Sequence, residues 1–92
     1  MKFLAVCGFG VGSSMVLKMS IVKACRARNL DCDIENTDLT SAKGMQADAV
    51  FTSPEMADDL RRTLSCPVYG IHKYMDVNEV GEAIDHFLAN HN

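Results

Sequence analysis

The apolar run Lys2-Phe3-Leu4-Ala5-Val6 leads without a break into Cys7-Gly8-Phe9-Gly10-Val11-Gly12-Ser13-Ser14, and this junction constrains the chain more than any other part of it. The run reads as a strand. Glycine at every second position from Gly8 to Gly12 lets the backbone turn sharply and present its N–H groups toward one point. Ser13 and Ser14 then open a helical pattern, and a helix N-terminus adds roughly half a positive charge. A strand, a glycine turn and a helix start together make a place for an anion. Cys7, at the exit of the strand, aims a thiol into it.

The remainder of the chain supplies a small α/β domain around that junction. With 92 residues it is read as one domain spanning residues 1–92, holding one sheet and one site. After the first strand, Ser13 to Arg28 follows a helical pattern, and Asp31 to Glu35 alternates as a second strand with Cys32 and Ile34 on one face. Asn36 to Gln46 is polar, a loop with room for one helical turn. Asp48 to Phe51 reads as strand three. Ser53-Pro54-Glu55 is a helix start, with Ser53 as N-cap and Pro54 at the first helical position, and that helix is expected to run to about Leu64. Cys66 to Gly70 is strand four, with Pro67 confining it to a strand start or a sheet edge. Asp76-Val77-Asn78-Glu79 matches a capping box ahead of a last helix, whose apolar stripe is Val77, Val80, Ile84, Phe87 and Leu88. Strands alternating with helices imply a three-layer, Rossmann-like architecture: a parallel sheet with right-handed crossovers and helices on both faces. In such sheets ligands bind beyond the carboxyl ends of the strands, where the Cys7 turn lies.

Composition removes several functions. Hydrophobic residues make up 48% and charged residues 23% of the chain, and no apolar run approaches the length of a membrane span. Direct membrane insertion is therefore not expected. The initial apolar stretch enters the glycine turn at once, so it reads as a strand rather than a signal peptide, which points to the cytoplasm. The net charge of -3 and the lack of a basic run argue against a nucleic-acid partner. Cys7, Cys25, Cys32 and Cys66 have neither CxxC nor metal-ligand spacing, so they are expected to be reduced thiols, with no metal and no cofactor. Cys25, Cys32 and Cys66 fit core or far-end positions.

Three phosphate-loop patterns compete for the turn after Cys7. The dinucleotide fingerprint GxGxxG begun at Gly8 needs glycine where Ser13 stands, and the ATP-binding loop GxxxxGK[ST] needs Gly-Lys where the chain has Ser13-Ser14. The low-molecular-weight tyrosine phosphatase loop shares the strand-to-helix setting, but carries arginine six positions after its cysteine, again at Ser13. Phosphoryl transfer to water leans on positive charge around the equatorial oxygens. Without that arginine, what remains is a thiolate able to accept a phosphoryl group and hold it in a cradle formed by Gly8, Phe9, Gly10, Val11, Gly12, Ser13 and Ser14. The thiolate is the reactive form, and negative charge is favoured at a helix N-terminus. A small cysteine phosphatase and a noncatalytic regulatory domain of the same fold are the competing readings.

The stretch from Cys7 through Ser14 and Met15, followed by Lys18-Met19, resembles the IIB components of the bacterial phosphoenolpyruvate-dependent sugar phosphotransferase system (PTS), in the lactose/ascorbate group. It looks most like the ascorbate type, and Thr52-Ser53-Pro54-Glu55 is similar to the segment after strand three in the same group. The resemblance covers the whole chain. It implies sheet order 2-1-3-4 and a phosphoryl group received on Cys7 from a phosphohistidine of a IIA component. The group would then pass to a sugar held by a membrane-embedded IIC component, with the chain cytoplasmic and peripheral to the inner membrane through IIC.

Periodicity suggests where partners dock. At about 100° per residue, Leu17, Ile21, Ala24 and Cys25 share one side of the first helix, while Met15, Met19 and Val22 fall roughly opposite, interleaved with Lys18. Flexible methionines suit a surface that receives more than one partner. Met15, Lys18, Met19 and Val22 are therefore the expected partner surface. Thr52, Ser53, Asp38, Thr40, His72 and Lys73 follow strands and are weaker phosphate-site candidates. No role falls to His86 or His91.

Overall fold

The computed structural model describes residues 1–7 and 11–90, the side chains of 11–14 excepted. Among the described residues eight elements alternate: β1 (Lys2–Val6), α1 (Val11–Ala27), β2 (Asp33–Thr37), α2 (Leu39–Ala42), β3 (Ala49–Thr52), α3 (Pro54–Thr63), β4 (Val68–Gly70) and α4 (Val77–Asn90). The four strands form one parallel sheet in the order β2-β1-β3-β4, as the resemblance implied. Right-handed crossovers explain the layering. The step from β1 to β2 runs one way across the sheet, and the steps from β2 to β3 and from β3 to β4 run the other way, so α1 falls on one face and α2 and α3 on the opposite one.

The strands show this division residue by residue. Phe3, Ala5, Ala49 and Phe51 point to the face covered by α1 and α4, where they meet Leu17, Ile21, Val80, Ile84 and Phe87. Leu4, Val6, Val50 and Val68 point the other way, onto Ala42, Ala57 and Leu60. Phe3 is the centre of the first cluster: its ring meets Phe51 edge-on at 5.3 Å and Phe87 at 5.4 Å. Bidentate pairing of Arg28 with Asp85 ties α1 to α4 at 2.6 and 3.0 Å.

At the amino ends of the strands the backbone is fastened by polar contacts. The Lys2 N–H donates to the Asp48 carboxylate at 2.7 Å and the Asp48 N–H returns a bond to the Lys2 carbonyl at 2.8 Å. The Asp33 N–H donates to the Met1 carbonyl at 2.8 Å. Arg61 reaches from α3 to the Val68 carbonyl at 3.0 Å.

Several boundaries differ from expectation for identifiable reasons. Helix α1 begins at Val11, two residues before Ser13, and ends in a Schellman turn. There Asn29 takes φ 54°, the Leu30 N–H donates to the Cys25 carbonyl and the Asn29 N–H donates to the Arg26 carbonyl. That turn and the passage to Met1 consume residues 28–32, so β2 starts at Asp33 rather than Asp31. Strand β4 is shorter than expected, starting at Val68. Pro67 stands just outside it on the edge of the sheet, its carbonyl accepting from the Val50 N–H at 2.9 Å. The capping box at α4 is half realised. Asp76 accepts from the Asn78 and Glu79 N–H groups, but the Asp76 N–H is taken by the Lys73 carbonyl, and Glu79 turns to other donors.

Gly70 closes β4 where the chain meets the start of α3. A Cβ there would lie 2.9 Å from Pro54 Cα, a backbone atom that cannot give way without moving the helix. Gly70→Ala is expected to cost about 1–3 kcal/mol, the usual range for overpacking, measured as a lower urea midpoint with an unchanged slope.

Candidate functional site

Cys7 lies at the carboxyl end of β1, one of the two inner strands, and is 4% exposed. Its N–H donates to the Thr37 carbonyl at 3.4 Å, which holds it in line with the end of β2. Helix α1 starts four residues later, at Val11. Gly8, Phe9 and Gly10, and the side chains of Val11, Gly12, Ser13 and Ser14, lie outside the described residues, as does His91.

The neighbouring strand ends bring further groups to the same side of the sheet. Thr52 ends β3 one step beyond the Ala5–Phe51 pair, beside Val6; it is fully buried, and its hydroxyl has no hydrogen-bond partner among the described residues. Ser53 caps α3, its hydroxyl accepting from the Met56 N–H at 3.4 Å. Asp38 is committed to α2, accepting from the Ser41 N–H at 2.6 Å, and that bond holds its carboxyl below the usual range. Thr40 is exposed in the same helix.

After β4 the chain forms a strap over the site. Ile71 is buried, His72 and Lys73 are exposed, and Tyr74 turns back so that its hydroxyl faces the Cys7 sulfur at 4.0 Å. The strap is held at both ends. Glu79 accepts from the His72 N–H at 2.7 Å, the Lys73 N–H at 2.9 Å and the His72 ring at 3.0 Å. On the α1 side, the buried Ser20 hydroxyl donates to the Tyr74 carbonyl. Between the strap and the start of α3 opens a cleft of about 720 Å³, lined in part by Pro54, Ile71, Tyr74 and Met75. Tyr74 is thus shared between the cleft and the sulfur. The sequence reading had weighed His72 and Lys73 but missed Tyr74, for which the only available signal was its position after a strand end.

The electrostatics separate the thiols. Burial and contact with Cys32 push the Cys25 thiol up to about 12, and burial also raises Cys66. Both belong to packing, as their positions suggested. Burial, then the neighbouring Cys7 and Glu55, raise Tyr74 against the opposing hydrogen bond from Ser53, so its hydroxyl keeps its proton at neutral pH. Partial burial opposes ionisation of Glu79, but the His72 and Lys73 N–H groups and the His72 ring outweigh it and hold the carboxyl below its ordinary value. A depressed carboxyl contributes stability that is fully present above its unfolded value of 4.5 and is lost as pH falls through its folded value. The strap is therefore expected to loosen on acidification below about pH 4.5 before the sheet does, seen as early movement of the His72 and Lys73 amide resonances. In Glu79→Gln that early phase should be absent.

The exposed apolar side of α1 is present. Met15 is 42% exposed and Met19 56%, with Lys18 between them half-buried. Val22 departs from this pattern: it is half-buried against the main core cluster, and Val16, at 37%, is exposed instead. Met75, 81% exposed, follows Tyr74 in the strap that Ser20 ties to α1. Among the described residues no group of three His, Cys, Asp or Glu side chains is placed to hold a metal ion, and no helix is long and apolar enough to cross a membrane.

The fold is that of the doubly wound α/β domains, a parallel sheet with helices on both faces and a buried cysteine at the carboxyl end of an inner strand. Residues 2–86 match the family described as "PTS system, Lactose/Cellobiose specific IIB subunit", and the chain belongs to that family. Relatives are named ascorbate-specific PTS system EIIB components. That of Mycoplasma pneumoniae is 26% identical over 96% of this chain and 95% of its own length, and that of Shigella dysenteriae 27% identical over 98% and 91%. The fold is shared with the lactose-specific IIB component domain of Streptococcus pneumoniae, at TM-score 0.63 and 16% identity over 100% of this chain and 98% of the other. It is shared also with an Enzyme IIB subunit from Escherichia coli K12, at TM-score 0.53 and 15% identity over 95% and 88%. The chain is thus a sugar-specific IIB component of the phosphotransferase system, a pathway in which IIB components work between IIA and IIC components.

Proposed function

We propose that residues 1–92 act as a single phosphocarrier domain that takes a phosphoryl group from a phosphohistidine of IIA onto Cys7 and delivers it to a sugar held by IIC. The observation that carries this reading is the placement of the buried Cys7 at the carboxyl end of β1, four residues before the start of α1. In the first step the sulfur lone pair forms the S–P bond as the P–N bond breaks and its electron pair returns to the donor imidazole. In the second, an acceptor hydroxyl oxygen forms the O–P bond, the S–P pair returns to sulfur, and the hydroxyl proton leaves to a base on the acceptor's side. Backbone N–H groups of the turn Gly8–Gly12, with Ser13 and Ser14, are the proposed cradle for the phosphoryl oxygens. The names of the relatives favour ascorbate as the sugar. Exposed Met15 and Met19, with Lys18, support a docking surface beside the site, with the chain cytoplasmic and brought to the membrane by IIC.

Ser13 at the position of a phosphatase arginine favours holding the phosphoryl group over hydrolysing it. Incubation with phosphoenolpyruvate, the general phosphotransferase proteins and the matching IIA should add one phosphoryl group to the peptide containing Cys7, stable to acid as a thiol ester of phosphate. Rapid turnover of an aryl phosphate by the isolated chain would overturn the reading.

A further inference from the structure

We propose that Tyr74 is a further catalytic group of the Cys7 site, its hydroxyl donating a hydrogen bond to a phosphoryl oxygen while the group is bound to sulfur and while it enters and leaves. The inference rests on Cys7 being the phosphoryl acceptor, and it concerns a residue 67 positions away in the chain.

Distance is the first argument. At 4.0 Å the phenol oxygen is at the outer limit of a hydrogen bond to sulfur, too far to gain much from the bare thiol. A phosphoryl group on that sulfur extends its oxygens past it, toward a donor standing off at such a distance. An ionised oxygen also makes the stronger bond, about twice that of a neutral pair. The gap suits the loaded site better than the empty one.

The second argument is how firmly Tyr74 is placed. Its carbonyl accepts from the buried Ser20 hydroxyl, and the two preceding N–H groups are both bound by Glu79. The Lys73 carbonyl accepts from the Asp76 N–H at 3.0 Å, and the Tyr74 ring packs against the main core cluster. A group that must meet an arriving oxygen without reorganising needs such fixing. The third argument is protonation. Burial, the neighbouring Cys7 and the Glu55 carboxylate of α3 keep the phenol in its donor form, outweighing the Ser53 hydroxyl that faces it. Tyr74 gives a hydrogen bond and keeps its proton throughout, so the two transfers balance without it. Tyr74 also lines the adjoining cleft together with Pro54, Ile71 and Met75.

The test compares wild type with Tyr74→Phe, which keeps the ring and removes the hydroxyl. Rates of phosphoryl entry from IIA and of transfer onward should fall about 10- to 100-fold, the worth of a hydrogen bond to a charged group, with Cys7 still the labelled residue. Chemical shifts of the phosphocysteine phosphorus should also differ between the two proteins. A second readout avoids any change to the site. In Tyr69→Phe, Tyr74 is the one remaining tyrosine of the chain's two, and loading Cys7 should move its titration to higher pH because a new dianion disfavours the phenolate. Loaded Cys7 with unchanged rates in Tyr74→Phe and an unmoved titration overturns the role of Tyr74 alone. No phosphoryl group on Cys7 in wild type overturns this inference together with the function it rests on.

Discussion

Cys7→Ser is expected to lose phosphoryl transfer by three or more orders of magnitude while keeping the fold. Removing a nucleophile eliminates the covalent intermediate, and losses of that scale or larger follow when a covalent nucleophile is deleted. A serine oxygen at the same place is a far weaker nucleophile at neutral pH, because the hydroxyl holds its proton where a thiol ionises in part. Serine occupies nearly the same volume and keeps the backbone bond to Thr37, so the fold should survive at a cost of about 1–3 kcal/mol for burying a hydroxyl. The two measurements are label transfer from phosphorylated IIA and the thermal midpoint by circular dichroism. A variant that stays folded and still accepts the label would show that another residue carries the phosphoryl group.

The largest stability effect is expected at Phe3→Ala. Phe3 is fully buried on an inner strand, and its ring touches both Phe51 from the sheet and Phe87 from α4. Truncating a buried phenylalanine costs about 3–5 kcal/mol through lost transfer energy and the cavity left behind. A domain of this length has roughly 5–14 kcal/mol in total. The loss therefore takes a large share of the stability, and the thermal midpoint should drop by roughly 12–40 °C. A loss under about 1 kcal/mol would mean that α4 settles onto the sheet and fills the space.

Most of the fold was legible because each strand carries two signals at once. Phe3-Leu4-Ala5-Val6 is apolar throughout, as a strand buried on both faces must be. The structure then divides its residues between two clusters. Ser53-Pro54 announced α3 by cap chemistry, and the structure uses Ser53 in that role. The start of β2 was misplaced because the Schellman turn at Asn29 depends on a left-handed residue that periodicity does not register. Glu79 was misread for a related reason. A capping box is a local pattern, but the Asp76 N–H was already taken by Lys73, and the strap offered the carboxylate better donors. The same limit hid Tyr74. Its partner Cys7 is fixed only by the crossover that brings β4 alongside β3, and the strap between Ile71 and Asp76 has no repeat that would mark an inward side chain. Val22 shows the limit of angular arithmetic: helix α1 is covered along more than one line, so a residue set opposite the core still finds neighbours in it.

The contacts among Met1, Lys2, Asp33, Asp48 and the Arg61–Val68 pair lie at the amino ends of the strands, a full strand length from Cys7, Thr52 and the Tyr74 strap. The contacts that fasten the strand starts therefore sit at the opposite pole of the molecule from the proposed phosphoryl site. Substitutions that tighten that pole can raise endurance without touching transfer.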